Sequence, residues 1–157
     1  MATEKITDVR RMLHWPGHME TDYIYTLGLA GEKFFSEIKQ NGRLLGAKCK
    51  RCRVVYLPPR IYCERCFDKL GEWVNVGTKG SVYTFTMAYV DINGAKLKEP
   101  IVYALIKFRD VEGGLVHKLG EVKPPEIRIG MPVEAVFKPQ AERKGDINDI
   151  KYFKPTE

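Results

Sequence analysis

The chain has no apolar run approaching the ~20 residues that a helix needs to cross a bilayer. Its first residues, MATEKITDVRRMLHW, mix charged and apolar side chains and hold no apolar h-region, so a secretory signal is not expected and a cytoplasmic protein is. It carries no G-x-S-x-G elbow, no Walker-type loop, no G-x-G-x-x-G turn and no obvious pairing of histidine with a nucleophile. Histidine is scarce. His14 and His18 stand four apart, a metal-binding spacing on a helix, but Pro16 and Gly17 between them make a regular turn doubtful and a surface or packing role is the better reading. His117 sits in a strand pattern with no visible partner and reads as a packed or exposed side chain. The acids are scattered, so no catalytic carboxylate pair stands out, and nothing in the chain demands an enzyme.

What is present is an ordinary globular composition. The 157 residues are 44% hydrophobic, enough for one domain or for two small units sharing an interface. Lysine and arginine number 26 against 20 acids, a net charge of +6. That balance favours anionic partners such as nucleic acid, phosphorylated cofactors or acidic protein surfaces, without choosing between them and solubility.

The pattern along the chain changes twice. Ile6, Val9, Met12 and Leu13 are spaced for a short helix that His14-Trp15-Pro16-Gly17-His18 would break. A second helical stretch is expected from about Glu20 to Gln40, with Ile24, Leu27, Phe34, Phe35 and Ile38 on its apolar face, as one helix or as two divided where Gly28 and Gly31 weaken its middle, and stopped by Asn41-Gly42. Loops and short hairpins are expected over 43–71. From Glu72-Trp73 onward strands dominate, at 80–90, 101–108, 115–119, 133–138 and 147–153, separated by glycine, proline and Asp91-Ile92-Asn93-Gly94. About five such strands suit a small antiparallel barrel of the OB type. The expected units are a helical segment over 1–42, a cysteine-bearing ribbon over 43–71 and a barrel over 72–157.

The four cysteines fall between positions 49 and 66, as Cys49-x-x-Cys52, a ten-residue interval, then Cys63-x-x-Cys66. Each pair can place two sulfurs on one ion within a tight turn, and two facing turns give the tetrahedral thiolate set that zinc accepts. Four sulfurs close the coordination shell, so a structural ion is expected rather than a catalytic one with an open position. Iron in a rubredoxin-like centre would take the same ligands and carry electrons, but nothing else in the chain resembles a redox site. Arg53 and Phe67 follow the second cysteines, where a small glycine usually stands. Lys48, Lys50, Arg51, Arg53, Arg60 and Arg65 surround the ligands and favour thiolates. Tyr83, Phe85, Tyr89, Tyr103 and Phe108 read first as core and second as a stacking platform for bases.

The run Gly42-Arg43-Leu44-Leu45-Gly46-Ala47-Lys48-Cys49-Lys50-Arg51-Cys52, then Leu57-Pro58-Pro59-Arg60-Ile61-Tyr62-Cys63-Glu64-Arg65-Cys66, Trp73, Gly80-Ser81-Val82-Tyr83-Thr84-Phe85-Thr86 and Ile129-Gly130-Met131-Pro132-Val133-Glu134-Ala135-Val136-Phe137, resembles the zinc-ribbon plus OB-fold acyl-CoA-associated family, once known only as a domain of unknown function. The similarity covers about residues 32–153. It implies a mainly β protein with N-terminal helices, a rubredoxin-like zinc ribbon and a five-stranded OB-fold barrel. It implies a non-catalytic scaffold beside thiolase-like or HMG-CoA synthase-like enzymes, or hydratase and aldolase partners, that helps hold CoA or acyl-CoA. Lys48, Lys50, Arg51 and Arg60 are the cations expected to attract CoA phosphates. Phe34 and Phe35 are expected to pack on the protein itself, and part of Trp15, Tyr23 and Tyr25 on a partner. Two readings compete: a single-stranded nucleic-acid-binding module, since a zinc ribbon with a basic OB-fold suits one, and an enzyme such as a thioesterase.

Overall fold

In the computed structural model, residues 24–91 and 93–156 are described, together with Asp8, Arg10 and Gly17. The first expected helix, His14, His18, Trp15 and Tyr23 lie outside them. Gly28–Asn41 forms α1, the one α-helix among the described residues. It starts later than the apolar spacing predicts because Gly28 takes φ 63°, a left-handed conformation that no helix runs through. Ala30, Phe34 and Ile38 recur at four-residue steps and are buried; Phe35 is partly buried against the same core. Burying Phe34 and Ile38 contributes roughly 2–3 kcal/mol each. Gly42, at φ 61°, ends the helix as its sequence suggests, donating its N–H to Ile38 O at 3.1 Å. The C-terminal carbonyls also take donors from afar: Gln140 Nε2 reaches Gln40 O at 2.9 Å, and Arg143 Nη1 reaches the same Ile38 O at 3.4 Å.

Two sheets follow. The first joins β1 (Leu45–Lys48), β2 (Val55–Leu57), β3 (Glu72–Asn75) and β6 (Val111–Gly113) in the order β3-β1-β2-β6. The second joins β4 (Lys79–Val90), β5 (Lys96–Lys107), β7 (Leu115–Lys118), β8 (Pro132–Phe137) and β9 (Ile150–Pro155) in the order β7-β5-β4-β8-β9. This is the OB barrel, with the zinc-ribbon unit before it in the chain. Bulges between Val82 and Thr84 and between Ala88 and Val90 bend the long β4, so that its first residues pair with β8 while the rest pairs with β5. The barrel closes where Leu119 bridges Phe153 in parallel. Among the expected core aromatics, Phe108 is buried, Phe85 and Tyr103 are partly so, and Tyr83 and Tyr89 are exposed. Strict alternation would put Tyr83, Phe85, Met87 and Tyr89 on one face; Phe85 and Met87 join the core, whereas Tyr83 and Tyr89 each sit at one of the two bulges, which interrupt the alternation.

Glu72–Asn75 pairs with β1, not with a barrel strand, matching Ala47 to Trp73. The barrel in turn lends β6 to the ribbon: Val55, Tyr56 and Leu57 pair in parallel with Val111, Glu112 and Gly113. The core crosses the same boundary. Phe34 and Ile38 of α1, Leu57 of β2 and Val82, Ile106, Val133 and Phe153 of the barrel form one cluster, while Ala47, Cys49, Tyr56, Cys63 and Leu70 form a small second one.

The last strand starts later than predicted. Ile147–Asp149 is a 3₁₀ turn opened by Asp146, whose carboxylate accepts the Asn148 N–H at 2.7 Å. Asp149 is wholly buried. Its carboxylate accepts backbone N–H groups of Lys144 (2.9 Å), Gly145 (2.6 Å) and Asp146 (3.3 Å). Burial works to raise its pKa, yet the three donors and the charge of Lys138 outweigh burial and hold it below the ordinary 3.8. A lowered folded pKa makes this stabilisation complete above the unfolded value of 3.8 and lost as pH falls through the folded value. Asp149→Ala is expected to cost about 3 kcal/mol at pH 7, and the gap between variant and native protein to narrow on acidification below 3.8, as read from urea melts across pH.

Candidate metal centre and its basic flank

Two near-identical turns carry the cysteines. In the first, Arg53 donates its N–H to Cys49 O at 2.8 Å and Cys49 donates to Val54 O at 2.8 Å. In the second, Phe67 donates to Cys63 O at 2.9 Å and Cys63 donates to Asp68 O at 3.0 Å. Each turn needs a left-handed residue right after its second cysteine. Arg53 (φ 58°) and Phe67 (φ 61°) fill that place without being glycine, so the fold carries the strain that glycine would have avoided.

The four sulfurs lie within 4.8 Å of one another, and Sγ of Cys49 is 3.5 Å from that of Cys66. Cys49 and Cys63 are buried; Cys52 and Cys66 are partly exposed. The Tyr56 hydroxyl, buried beneath the site, bonds Sγ of Cys63 at 3.3 Å. That bond pulls the Cys63 thiol down to about 6 and pushes the Tyr56 phenol up to about 12. At Cys66 the Asp68 N–H favours thiolate, but burial and the three neighbouring sulfurs outweigh it and raise the thiol to about 12. Four thiolates packed this closely repel one another unless a cation lies among them. The donor set, its spacing and its closed shell fit zinc, and the four cysteines are positioned to bind one metal ion. Tyr56 was not singled out from the sequence. Its place in the strand linking the two C-x-x-C turns is the signal that points to it.

The expected anion set divides. Lys48, Lys50 and Arg51 line a depression of 760 Å³ beside Cys49, together with Lys69, Asp68 and Glu72. Lys48 pairs with Glu72 at 3.2 Å and Arg51 approaches Asp68 at 4.0 Å. Arg60 is not in that lining: it lies 5.1 Å from the centre of the Tyr56 ring and pairs with Glu64. Tyr62 and Phe67, flanking the second turn, are 59% and 79% exposed, a high value for aromatics.

Comparison with known proteins agrees with this geometry. The rubredoxin-like zinc ribbon domain of ChsH2 matches residues 36–70, and the C-terminal OB-fold domain of ChsH2 matches residues 73–138. A DUF35 domain-containing scaffold protein of Methanocaldococcus jannaschii is 36% identical over 125 residues, which cover 76% of this chain and 86% of that protein. A probable enoyl-CoA hydratase alpha subunit of Thermomonospora curvata is 32% identical over 101 residues, 64% of this chain and 31% of that subunit. Among solved structures, a DUF35 protein of unknown function from Sulfolobus solfataricus superposes with a TM-score of 0.66 at 29% identity, covering 82% of this chain and 87% of that one. The Ltp2-ChsH2(DUF35) aldolase superposes with a TM-score of 0.59 at 26% identity, covering 79% of this chain and 93% of that one. With its ribbon and barrel both matched and its cysteine quartet in place, this chain belongs to the DUF35 family of zinc-ribbon and OB-fold proteins.

Proposed function

We propose that this chain is a non-catalytic accessory subunit that binds CoA or acyl-CoA and bridges thiolase-like or HMG-CoA synthase-like enzymes, with zinc held by Cys49, Cys52, Cys63 and Cys66 in a purely structural role. The observation that carries this reading is the union of ribbon and barrel. β6 leaves the barrel to complete the ribbon sheet, and one core spans both, so surfaces on the two units stay at a fixed separation. A bridging subunit needs that rigidity. Each unit also offers apolar area for a partner: Tyr62 and Phe67 on the ribbon, Tyr89 and Val90 at the tip of the β4–β5 hairpin. A scaffold protein, an aldolase complex and an enoyl-CoA hydratase subunit among the similar proteins favour the same class of role. On the ribbon flank, Lys50 is the member of the expected anion set with no carboxylate partner among the described residues, and the one that we assign to long-range attraction of CoA phosphates.

The test is affinity capture of the tagged chain from its native cells, followed by mass spectrometry and reconstitution. Stoichiometric recovery of a thiolase-like or related acyl-CoA enzyme, reproduced with the purified pair, is the expected result. Acyl-CoA hydrolysis by the isolated chain at a useful rate would overturn the non-catalytic assignment.

A further inference from the structure

The barrel seam holds a second cationic depression, and its lysines form no ion pair among the described residues. A cavity of 630 Å³ lies where β5, β7 and β9 meet the loop between β8 and β9, within the roughly 300–1,000 Å³ of small-molecule sites. Lys118, Lys138 and Lys151 stand in its lining and no carboxylate does. None of the three is ion-paired among the described residues, whereas Lys48 and Arg51 on the ribbon flank each face an acid. The acid nearest in sequence, Asp149, is buried with its oxygens taken by three backbone N–H groups; the charge of Lys138 acts on it, but Lys118 and Lys151 are left wholly for a ligand.

The aromatic wall is held in place. Tyr152 packs its ring over Gly120 so closely that a Cβ there would lie 2.6 Å from Cγ of the tyrosine, and its hydroxyl donates to Glu121. Tyr103 adds a second ring. His117, buried on the same wall, has Nε2 3.2 Å from Ile147 O, and its Nδ1 is the one buried side-chain nitrogen or oxygen without a hydrogen-bond partner among the described residues. An adjoining depression of 480 Å³ shares Lys118, Lys151 and Tyr152 and adds Lys123 together with one carboxylate, Glu99, so the surface continues as a groove in which cations outnumber acids.

We infer that this seam groove binds a nucleoside phosphate, its phosphates on Lys118, Lys138 and Lys151 and its base against Tyr152 and Tyr103. Ammonium groups supply charge-assisted hydrogen bonds to phosphate, and a fixed aromatic face supplies stacking. The groove is argued without the scaffold reading. Naming its ligand as the nucleotide end of CoA rests on that reading.

The test titrates adenosine 3′,5′-bisphosphate, and separately CoA and an oligo-dT strand, into the zinc-loaded full chain by calorimetry. One saturable bisphosphate site is expected. The Lys118→Glu/Lys151→Glu double variant should weaken it by about tenfold or more for each reversed charge, while Lys33→Glu, an exposed charge reversed on α1, leaves it within about twofold. Lys118 and Lys151 are exposed, so an unchanged melting temperature should accompany the loss. Absence of saturable bisphosphate binding, or binding that survives reversal of Lys118 and Lys151 unchanged, would overturn the inference. Oligo-dT binding far tighter than the bisphosphate through the same lysines would also overturn it, in favour of single-stranded nucleic acid. Bisphosphate bound at the seam with no affinity for CoA would leave the groove standing and remove the CoA reading.

Discussion

The native protein is expected to carry one zinc ion per chain by elemental analysis, and the Cys49→Ser variant to purify with less than a tenth of that and to lose hydrogen-exchange protection over residues 45–75 while the barrel keeps its own. The sulfur lost is one of the two buried ones and closes the first turn. Zinc held by four thiolates supplies apparent binding energies of about 10–16 kcal/mol in small zinc modules. The ribbon has little else of its own. Its private core is Ala47, Cys49, Tyr56, Cys63 and Leu70, far too few side chains to offset the entropy of ordering some thirty residues. The barrel differs, because Val82, Ile106, Val133, Ile150 and Phe153 are buried without help from the metal. Removing zinc from the native protein with a chelator should give the same split, an early transition for the ribbon and a later one for the barrel. A variant that retained full zinc would show that three cysteines suffice to hold the metal and would overturn the requirement for the fourth.

The metal site was legible in the sequence because its geometry is local. Two C-x-x-C pairs dictate two turns whatever surrounds them. The left-handed residues after each pair were not legible, because Arg53 and Phe67 do not advertise the conformation that a glycine would. In the barrel, β-branched and aromatic runs marked the strands, and Gly42 marked the end of α1. The start of α1 was missed because apolar spacing continues back to Ile24 and only the positive φ of Gly28 breaks it. β6 left no trace in the pattern: it is three residues long, two of them Glu112 and Gly113, and its partner lies more than fifty residues earlier in parallel pairing. The lysines of the seam were equally hidden. Lys118, Lys138 and Lys151 come from three separate segments, and only barrel closure through Leu119 and Phe153 brings them together.

Replacing Gly113 with alanine is expected to lower stability by about 3 kcal/mol, which for a chain of this size is a fall of roughly 6–12 °C in Tm, while leaving zinc bound. Gly113 takes φ 92°, and a Cβ on it would overlap the Leu57 carbonyl oxygen. That oxygen cannot withdraw freely, since it accepts the Gly114 N–H at 2.8 Å and belongs to a residue whose side chain is buried in the shared core. The strand pairing must open instead, so the alanine acts at the join between ribbon and barrel. Gly77→Ala separates backbone strain from this overlap: Gly77 has φ 79° but nothing within 4 Å of an added Cβ, and its replacement should cost only about 1–2 kcal/mol. The two losses then carry different meanings. Losing the metal collapses the ribbon, β2 included, and leaves the barrel; breaking the join leaves two folded units whose relative position is no longer fixed. If bridging of partner enzymes depends on that fixed separation, Gly113→Ala should weaken the assembly at temperatures where ribbon and barrel are each still folded, and Gly77→Ala should not.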